Sequence, residues 1–292
     1  MFELIGIAPQ ALFGQLAVGL INGAFYAMLS LGLAVIFGML NVINFTHGAQ
    51  YMLGALVAWL MLTLLNIPFW VALVASPIIV GLSGVLLERV LLKRLYHLDH
   101  LYGFLMTFGL ALAIEGVCQW KWGSSGQPYQ NPIPGGTNLG FMVLPTYRIF
   151  VVGAALFVCL GTWYAIERTR LGGYLRAATE NPTLVRAFGI NVPRLITLTY
   201  GLGVGLAALA GVLAAPVYQV SPLMGQNLVL IVFAVVVIGG MGSIMGSIVT
   251  GFGLGLIEGL TKVFYPQASS TVIFVIMAIV LLIRPAGLFG RG

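Results

Sequence analysis

Charge is what this sequence has least of: 7% of its 292 residues are Asp, Glu, Lys or Arg, while 60% are hydrophobic. Ordinary globular domains carry about 25% charge, and a soluble fold of this size exposes too much surface to be covered by so few charged groups. Cysteine is nearly absent. Cys118 and Cys159 sit in separate apolar runs and give no metal spacing and no disulfide framework, so they read as small buried hydrophobes rather than a transmembrane disulfide. Histidine occurs three times, and His47 has no cysteine or second histidine close in sequence. It therefore reads as a hydrogen-bonding group at a helix start and not as a ligand, while His97 and His100 read as solvated or interfacial. No GxxxxGK[ST] phosphate loop, no zinc-protease motif and no nucleophile–base–orienter set occurs, so the chain is not read as an enzyme. The start, MFELIGIAPQ, lacks the basic flank of a signal peptide; Glu3 without a nearby cation fits an outside N-terminus.

The composition instead describes one polytopic membrane domain over residues 1–292, with mean hydropathy +1.06. The net charge of +6 does not point to nucleic acid, because the basic residues cluster in short loops between apolar runs, the positive-inside pattern. Spans are predicted at about 12–38, 47–65, 69–87, 101–120, 149–166 and 195–217. A short apolar run, about 228–238, then precedes a glycine-rich span, about 247–260, and a final one at 271–283. The fold class is all-α with about eight to ten transmembrane helices, and the run at 228–238 is short enough to be half of a broken or re-entrant helix. The residues 88–100, ERVLLKRLYHLDH, form a charged loop able to lie on the interface as a short amphipathic helix. Ser76-Pro77 can bend the third span. Trp120, Trp122, Tyr129 and Tyr147 flank a weakly charged loop and suit a membrane–water boundary. Gly251, Gly255 and Gly259 recur every four residues, a face for close helix packing.

Ionisable residues inside apolar spans are functional candidates by default. Glu115 is near the outer end of its span, within reach of Lys121 or water, and Glu258 is one turn from Lys262. Both allow a structural reading as well as ion coupling or ammonium binding. At the apparent helix breaks stand Asn44, Thr46, His47 and Gln50, and the glycine-rich Gly240, Met241 and Gly242. They are candidates for a pathway or gate, and equally for helix–helix packing.

One polar stretch is too long to be a mere connection. Residues 168–194, RTRLGGYLRAATENPTLVRAFGINVPR, hold five of the thirteen basic residues. Leu171–Ala178 can form a turn or two of helix. Asn181 is a plausible N-cap, Pro182 suits the first helical position and Gly189 can end a second helix. Leu184, Val185 and Phe188 fall on one face of that helix. It reads either as an interfacial helix on membrane lipid or as a knob for a cytoplasmic partner.

Four segments carry a family resemblance. VINFTHGAQYMLG (42–54) resembles the INFAHG…YMLG segment of the LivH-type permeases of branched-chain amino acid ABC importers. The 168–191 stretch is similar to their RTRLGRALRA…EDP…GIN loop, GGMGSIMG (239–246) to their GGxGSxxG segment, and RPAGLFG (284–290) to their tail. The resemblance implies the permease subunit of an importer in the plasma membrane, the inner one in a Gram-negative cell, with its C-terminus cytoplasmic. It implies a LivM-like second permease, two cytoplasmic ATPase subunits that use ATP and Mg²⁺, and an extracytoplasmic substrate-binding protein. No cofactor is implied on this chain. The substrates implied are branched-chain or other hydrophobic amino acids, with urea and short amides in related systems. Residues 168–194 become the ATPase-coupling loop, with Arg176, Glu180, Asn181, Pro182, Leu184, Val185, Phe188 and Gly189 as coupling residues. The residues alone leave open a self-contained channel or secondary transporter and a non-transporting membrane scaffold.

Overall fold

Helix α1 (Pro9–Leu40) is the axis of the molecule. In a computed structural model that describes residues 8–40 and 44–290, 83% of its most apolar window is buried, against 22% for α5 (Thr146–Glu167). Glu3, Val42 and Ile43, each used above, lie outside the described residues. The order continues with α2 (Thr46–Leu65), α3 (Phe69–Val90), α4 (His100–Trp122), a hairpin of β1 (Gly136–Asn138) and β2 (Val143–Pro145), then α5. Two short helices, α6 (Arg170–Glu180) and α7 (Pro182–Ala187), lead into α8 (Val192–Tyr218), α9 (Met224–Gly239), α10 (Ile244–Phe264) and α11 (Val272–Ile283). Seven of the helices among the described residues are long and apolar enough to cross a membrane; α9 and α11 are apolar but shorter. At 1.5 Å per residue, α9 spans about 24 Å and α11 about 18 Å, less than the roughly 30 Å of hydrocarbon. The protein is an all-α polytopic membrane protein.

Small residues explain the central position of α1. Lipid tails are as apolar as leucine, so membrane helices associate through close backbone packing rather than hydrophobic exclusion. Gly19 and Gly23 of α1 lie on Gly251, Gly255 and Gly259 of α10, and a Cβ added at Gly255 would stand 2.4 Å from the Gly23 backbone. Gly38 meets Gly242 at the far end, so the two helices run antiparallel. The same device joins α2 to α8, where a Cβ at Gly54 would meet the Ala208 carbonyl oxygen at 2.2 Å. The four-residue glycine repeat is therefore a packing face, as its spacing suggested.

Several expectations are corrected. Helix α3 runs unbroken through Pro77 to Val90, and residues 92–94 form only a 3₁₀ turn, so no separate interfacial helix follows. Tyr129 and Tyr147 face the protein interior: both are buried, edge-on to Phe69, and the Tyr147 hydroxyl donates to the Leu213 carbonyl at 2.9 Å. Their loop is held inward because Gln127 and Val220 exchange backbone hydrogen bonds of 2.8 and 2.9 Å. Trp120, by contrast, is exposed. Cys118 and Cys159 are free, buried thiols.

Candidate functional site

The predicted pathway residues separate into two places. Asn44, Thr46, His47 and Gln50 are all buried where α2 begins, between α1 and α8. The Asn44 carboxamide oxygen accepts from the Thr46 peptide N–H at 3.1 Å and from the Thr46 hydroxyl. Gln50 Nε2 donates to Thr46 Oγ1 at 3.2 Å and to the Tyr200 hydroxyl at 3.4 Å. Asn44 closes the network on Gln50 Oε1 at 3.4 Å. This is a polar knot that ties the irregular entry of α2 to α8. His47 points the other way, its Nε2 bonded to the Leu29 carbonyl at 2.9 Å, with no hydrogen-bond partner at Nδ1 among the described residues. No group of His, Cys, Asp and Glu among the described residues could hold a metal ion.

Gly240, Met241 and Gly242 form the turn between α9 and α10. Gly240 and Gly242 have φ of +100° and +83°, the left-handed region that only glycine enters without strain. Ser243 caps α10 by accepting from the Gly246 N–H at 3.1 Å. The tail then folds over this turn: the N–H groups of Leu288 and Phe289 donate to the Ile238 and Gly239 carbonyls at 2.8 and 3.1 Å. Two of the carbonyls that the end of α9 would leave open are thereby satisfied. Glycine is needed in the tail because a Cβ at Gly287, which has φ +81°, would stand 2.5 Å from Gly240 Cα.

The polar stretch 168–194 folds as two helices, as predicted, and the second carries the predicted cap. Helix α6 doubles back on the end of α5 so closely that a Cβ at Gly172 would stand 1.5 Å from the Ile166 carbonyl oxygen. Arg176 holds this return, bonding the Ile166 carbonyl at 3.4 Å and Glu167 at 3.3 Å. Asn181 accepts from the Leu184 N–H at 2.9 Å, Pro182 occupies the first turn of α7, and Gly189 at φ +82° ends the segment. Asn191 caps α8 in the same way, at 3.1 Å from the Arg194 N–H. The expected single apolar face is divided, however. Val185 is only 5% exposed, packed with Ala178 and Val192, while Leu184 and Phe188 are 54% and 77% exposed. Glu180 also faces outward. The six-residue helix thus buries Val185 against its own protein and presents Leu184, while Phe188 at its C-terminal cap adds a second exposed apolar side chain.

A cavity of about 460 Å³ joins the two sets. Its walls include Gly38 of α1, Met241, Gly242 and Ser243 of the glycine turn, and Glu167, Arg176 and Thr179 of the polar stretch. Nothing in the linear sequence places Arg176 beside Gly242, some 66 positions later in the chain.

The intramembrane acids differ from each other. Glu258 accepts from Lys262 Nζ at 2.5 Å and from the Tyr26 hydroxyl at 2.7 Å, which is a structural pairing. Glu115 is buried but makes no ion pair among the described residues; Lys121 instead lies 5.0 Å from the Trp122 ring centre. A third acid escaped the sequence reading. Glu88, assigned above to a charged loop, is buried in the last turn of α3, where Tyr96 and Thr197 donate to it. Tyr96 and Thr197 gave no signal in the sequence, because each acquires its role only when its chain segment meets α3.

A bundle of apolar helices with buried polar helix entries and a structured polar loop is the architecture of a polytopic membrane protein. The chain belongs to the family described as the permease component of branched-chain amino acid transport systems, whose model matches residues 15–282. It is 31% identical to the high-affinity branched-chain amino acid transport permease BraD of Pseudomonas aeruginosa, with 95% of each chain covered. It is 28% identical to LivH of Escherichia coli, again with 95% of each covered. No solved structure is significantly similar to it. The family makes it a multi-pass plasma-membrane protein and the permease part of a transport system.

Proposed function

We propose that this chain forms one half of the membrane pathway of an ATP-driven importer for branched-chain or other hydrophobic amino acids. Its basic end, with the 168–194 loop and the C-terminal tail, faces the cytoplasm by the positive-inside rule, and the N-terminus faces outward. A LivM-like permease completes the pathway, two ATPase subunits dock at the cytoplasmic end, and an extracytoplasmic binding protein delivers the amino acid. The observation that carries this reading is α7: a helix capped at its start, anchored inward by Val185 and presenting Leu184 and Phe188 outward. An apolar pair on a rigid, polar-flanked knob suits the pocket of a protein better than solvent.

The cycle then follows from where the loop sits. ATP binding closes the two motor subunits and moves α7. Helix α6 lines the 460 Å³ cavity together with Met241 and Gly242, so that motion reshapes the cavity at the foot of α1 and α10. Gly240–Gly242 and the tail act as the cytoplasmic gate, while Asn44, Thr46, His47 and Gln50 hold the packed hinge of α2. The chain itself forms and breaks no covalent bond. The test is uptake of radiolabelled leucine by vesicles containing both permeases and both ATPases, with loaded binding protein outside. Uptake should require ATP inside and vanish without either ATPase. Accumulation driven by an ion gradient alone would refute the proposal, and uptake of urea in place of leucine would move the substrate assignment to short amides.

A further inference from the structure

Glu88 has no part in the reading above, yet its setting is unusual. It is 1% exposed, in the last turn of α3, and forms no ion pair among the described residues. Its two oxygens are taken by different segments. The Tyr96 hydroxyl, in the α3–α4 connection, donates to Oε1 at 2.8 Å; the Thr197 hydroxyl, in the second turn of α8, donates to Oε2 at 2.7 Å. A buried carboxylate is strongly destabilised when it loses a donor, because the freed oxygen has no water to replace it. The neighbouring phenol stays protonated: burial and the adjacent carboxylate both raise the pKa of Tyr96 above the ordinary tyrosine value, so it remains a donor.

These three residues stand where the polar loop enters the bundle. Val185 of α7 packs on Val192, the first residue of α8, five positions before Thr197. On the other side, a cavity of about 330 Å³ separates Pro182 and Arg186 from Leu92, Leu95 and Tyr96 of the α3–α4 connection. Helix α7 therefore has room to move toward that connection while resting on the start of α8. Between α3 and α8 the packing is close and seated on glycines: a Cβ at Gly201 would stand 2.5 Å from the Val85 side chain, one at Gly84 2.8 Å from Val204, and one at Gly81 3.1 Å from the Gly201 carbonyl oxygen. About one turn from the Val85–Gly201 contact, the Glu88–Thr197 hydrogen bond adds a directional tie between the two helices at the end where the polar loop enters. Thr197 also has a second acceptor, the Pro193 carbonyl in its own helix at 3.0 Å. One hydroxyl proton facing two acceptors can leave Glu88 and remain bonded.

We propose that Glu88 is a positioning residue for the transport cycle: it clamps the start of α8 and the α3–α4 connection to α3, so that displacement of α7 is passed to α3 and α8 together. The proposal rests on the reading of α7 as the ATPase-docked element. It assigns Glu88 to coupling between hydrolysis and transport, not to substrate contact or ATPase binding.

The test uses the whole transporter in vesicles and measures ATP hydrolysis stimulated by loaded binding protein and leucine uptake in the same preparation. Glu88→Ala and Thr197→Val should keep the ATPases bound and hydrolysis within about twofold of the parent, while uptake per ATP falls about tenfold, the scale set by losing one hydrogen bond to a charged group. Thr197→Ser, which keeps the hydroxyl, should restore the ratio. Where Glu88→Ala does not yield folded protein, the Thr197→Val and Thr197→Ser pair decides. Unchanged uptake per ATP in Thr197→Val overturns the proposal, as does a loss that Thr197→Ser fails to rescue. A parallel variant separates this from the reading beneath it. If Leu184→Asp/Phe188→Asp leaves ATPase binding and uptake intact, the docking assignment fails; if it abolishes them while Thr197→Val has no effect, only the Glu88 proposal fails.

Discussion

Phe188→Ala offers the sharpest measure of what α7 does. Phe188 is 77% exposed and Leu184 54% exposed, so neither contributes much to the permease's own core. Removing either side chain should change the stability of the isolated permease by no more than about 0.5 kcal/mol, the usual effect of a surface substitution. If an ATPase pocket covers Phe188, the side chain gains about 2 kcal/mol from burial, a factor of about 30 in Kd. Leu184, already half buried, should contribute about 1 kcal/mol, or about fivefold. Val185→Ala must behave in the opposite way. Its side chain is buried on Ala178 and Val192, so its truncation should lower the permease's melting temperature before it alters affinity. Purified permease pair immobilised in detergent, titrated with the ATPases, yields the Kd, and a melting curve on the same sample yields the stability. A Phe188→Ala variant that binds ATPase with the parental Kd would refute the docking argument. So would a variant that loses affinity only in proportion to lost stability.

Other expectations can be checked on the same material. Gly54→Val places a side chain against the Ala208 carbonyl and should destabilise the bundle by about 1–3 kcal/mol, read as a lower melting temperature. Lys262→Met leaves Glu258 with only the Tyr26 hydroxyl; because Lys262 is partly exposed the loss should be about 1 kcal/mol, and Glu258→Gln/Lys262→Met should recover most of it. The Tyr129 hydroxyl is buried without a hydrogen-bond partner among the described residues, so Tyr129→Phe should hold or raise the melting temperature. Burial pushes the Tyr129 phenol up to about 12. The folded state thus holds that proton more tightly than the unfolded state, and the resulting stability, present below the unfolded value near 10, is lost as pH rises toward 12. An ultraviolet titration that loses one late-ionising tyrosine in Tyr129→Phe would confirm the assignment, and an unchanged titration would count against it.

The sequence by itself determined the class of protein, the positions of the helices and the division of residues 168–194 into two helical pieces, the second of them capped. These are local matters. A run of apolar residues either spans hydrocarbon or does not, and Asn181, Pro182 and Gly189 act on backbone groups within a few positions of themselves. The glycine repeat at 251, 255 and 259 was legible for the same reason, since its period is that of one helix face. Tertiary structure decided everything that depends on which segments meet. It sent Asn44, Thr46 and Gln50 into a buried knot with Tyr200, brought Arg176 to the cavity beside Gly242, and turned Val185 inward away from Leu184 and Phe188. It also moved Glu88 from an apparent surface loop to the interior. A carboxylate is tolerated there only because Tyr96 and Thr197, 8 and 109 positions away, supply the two donors its charge requires.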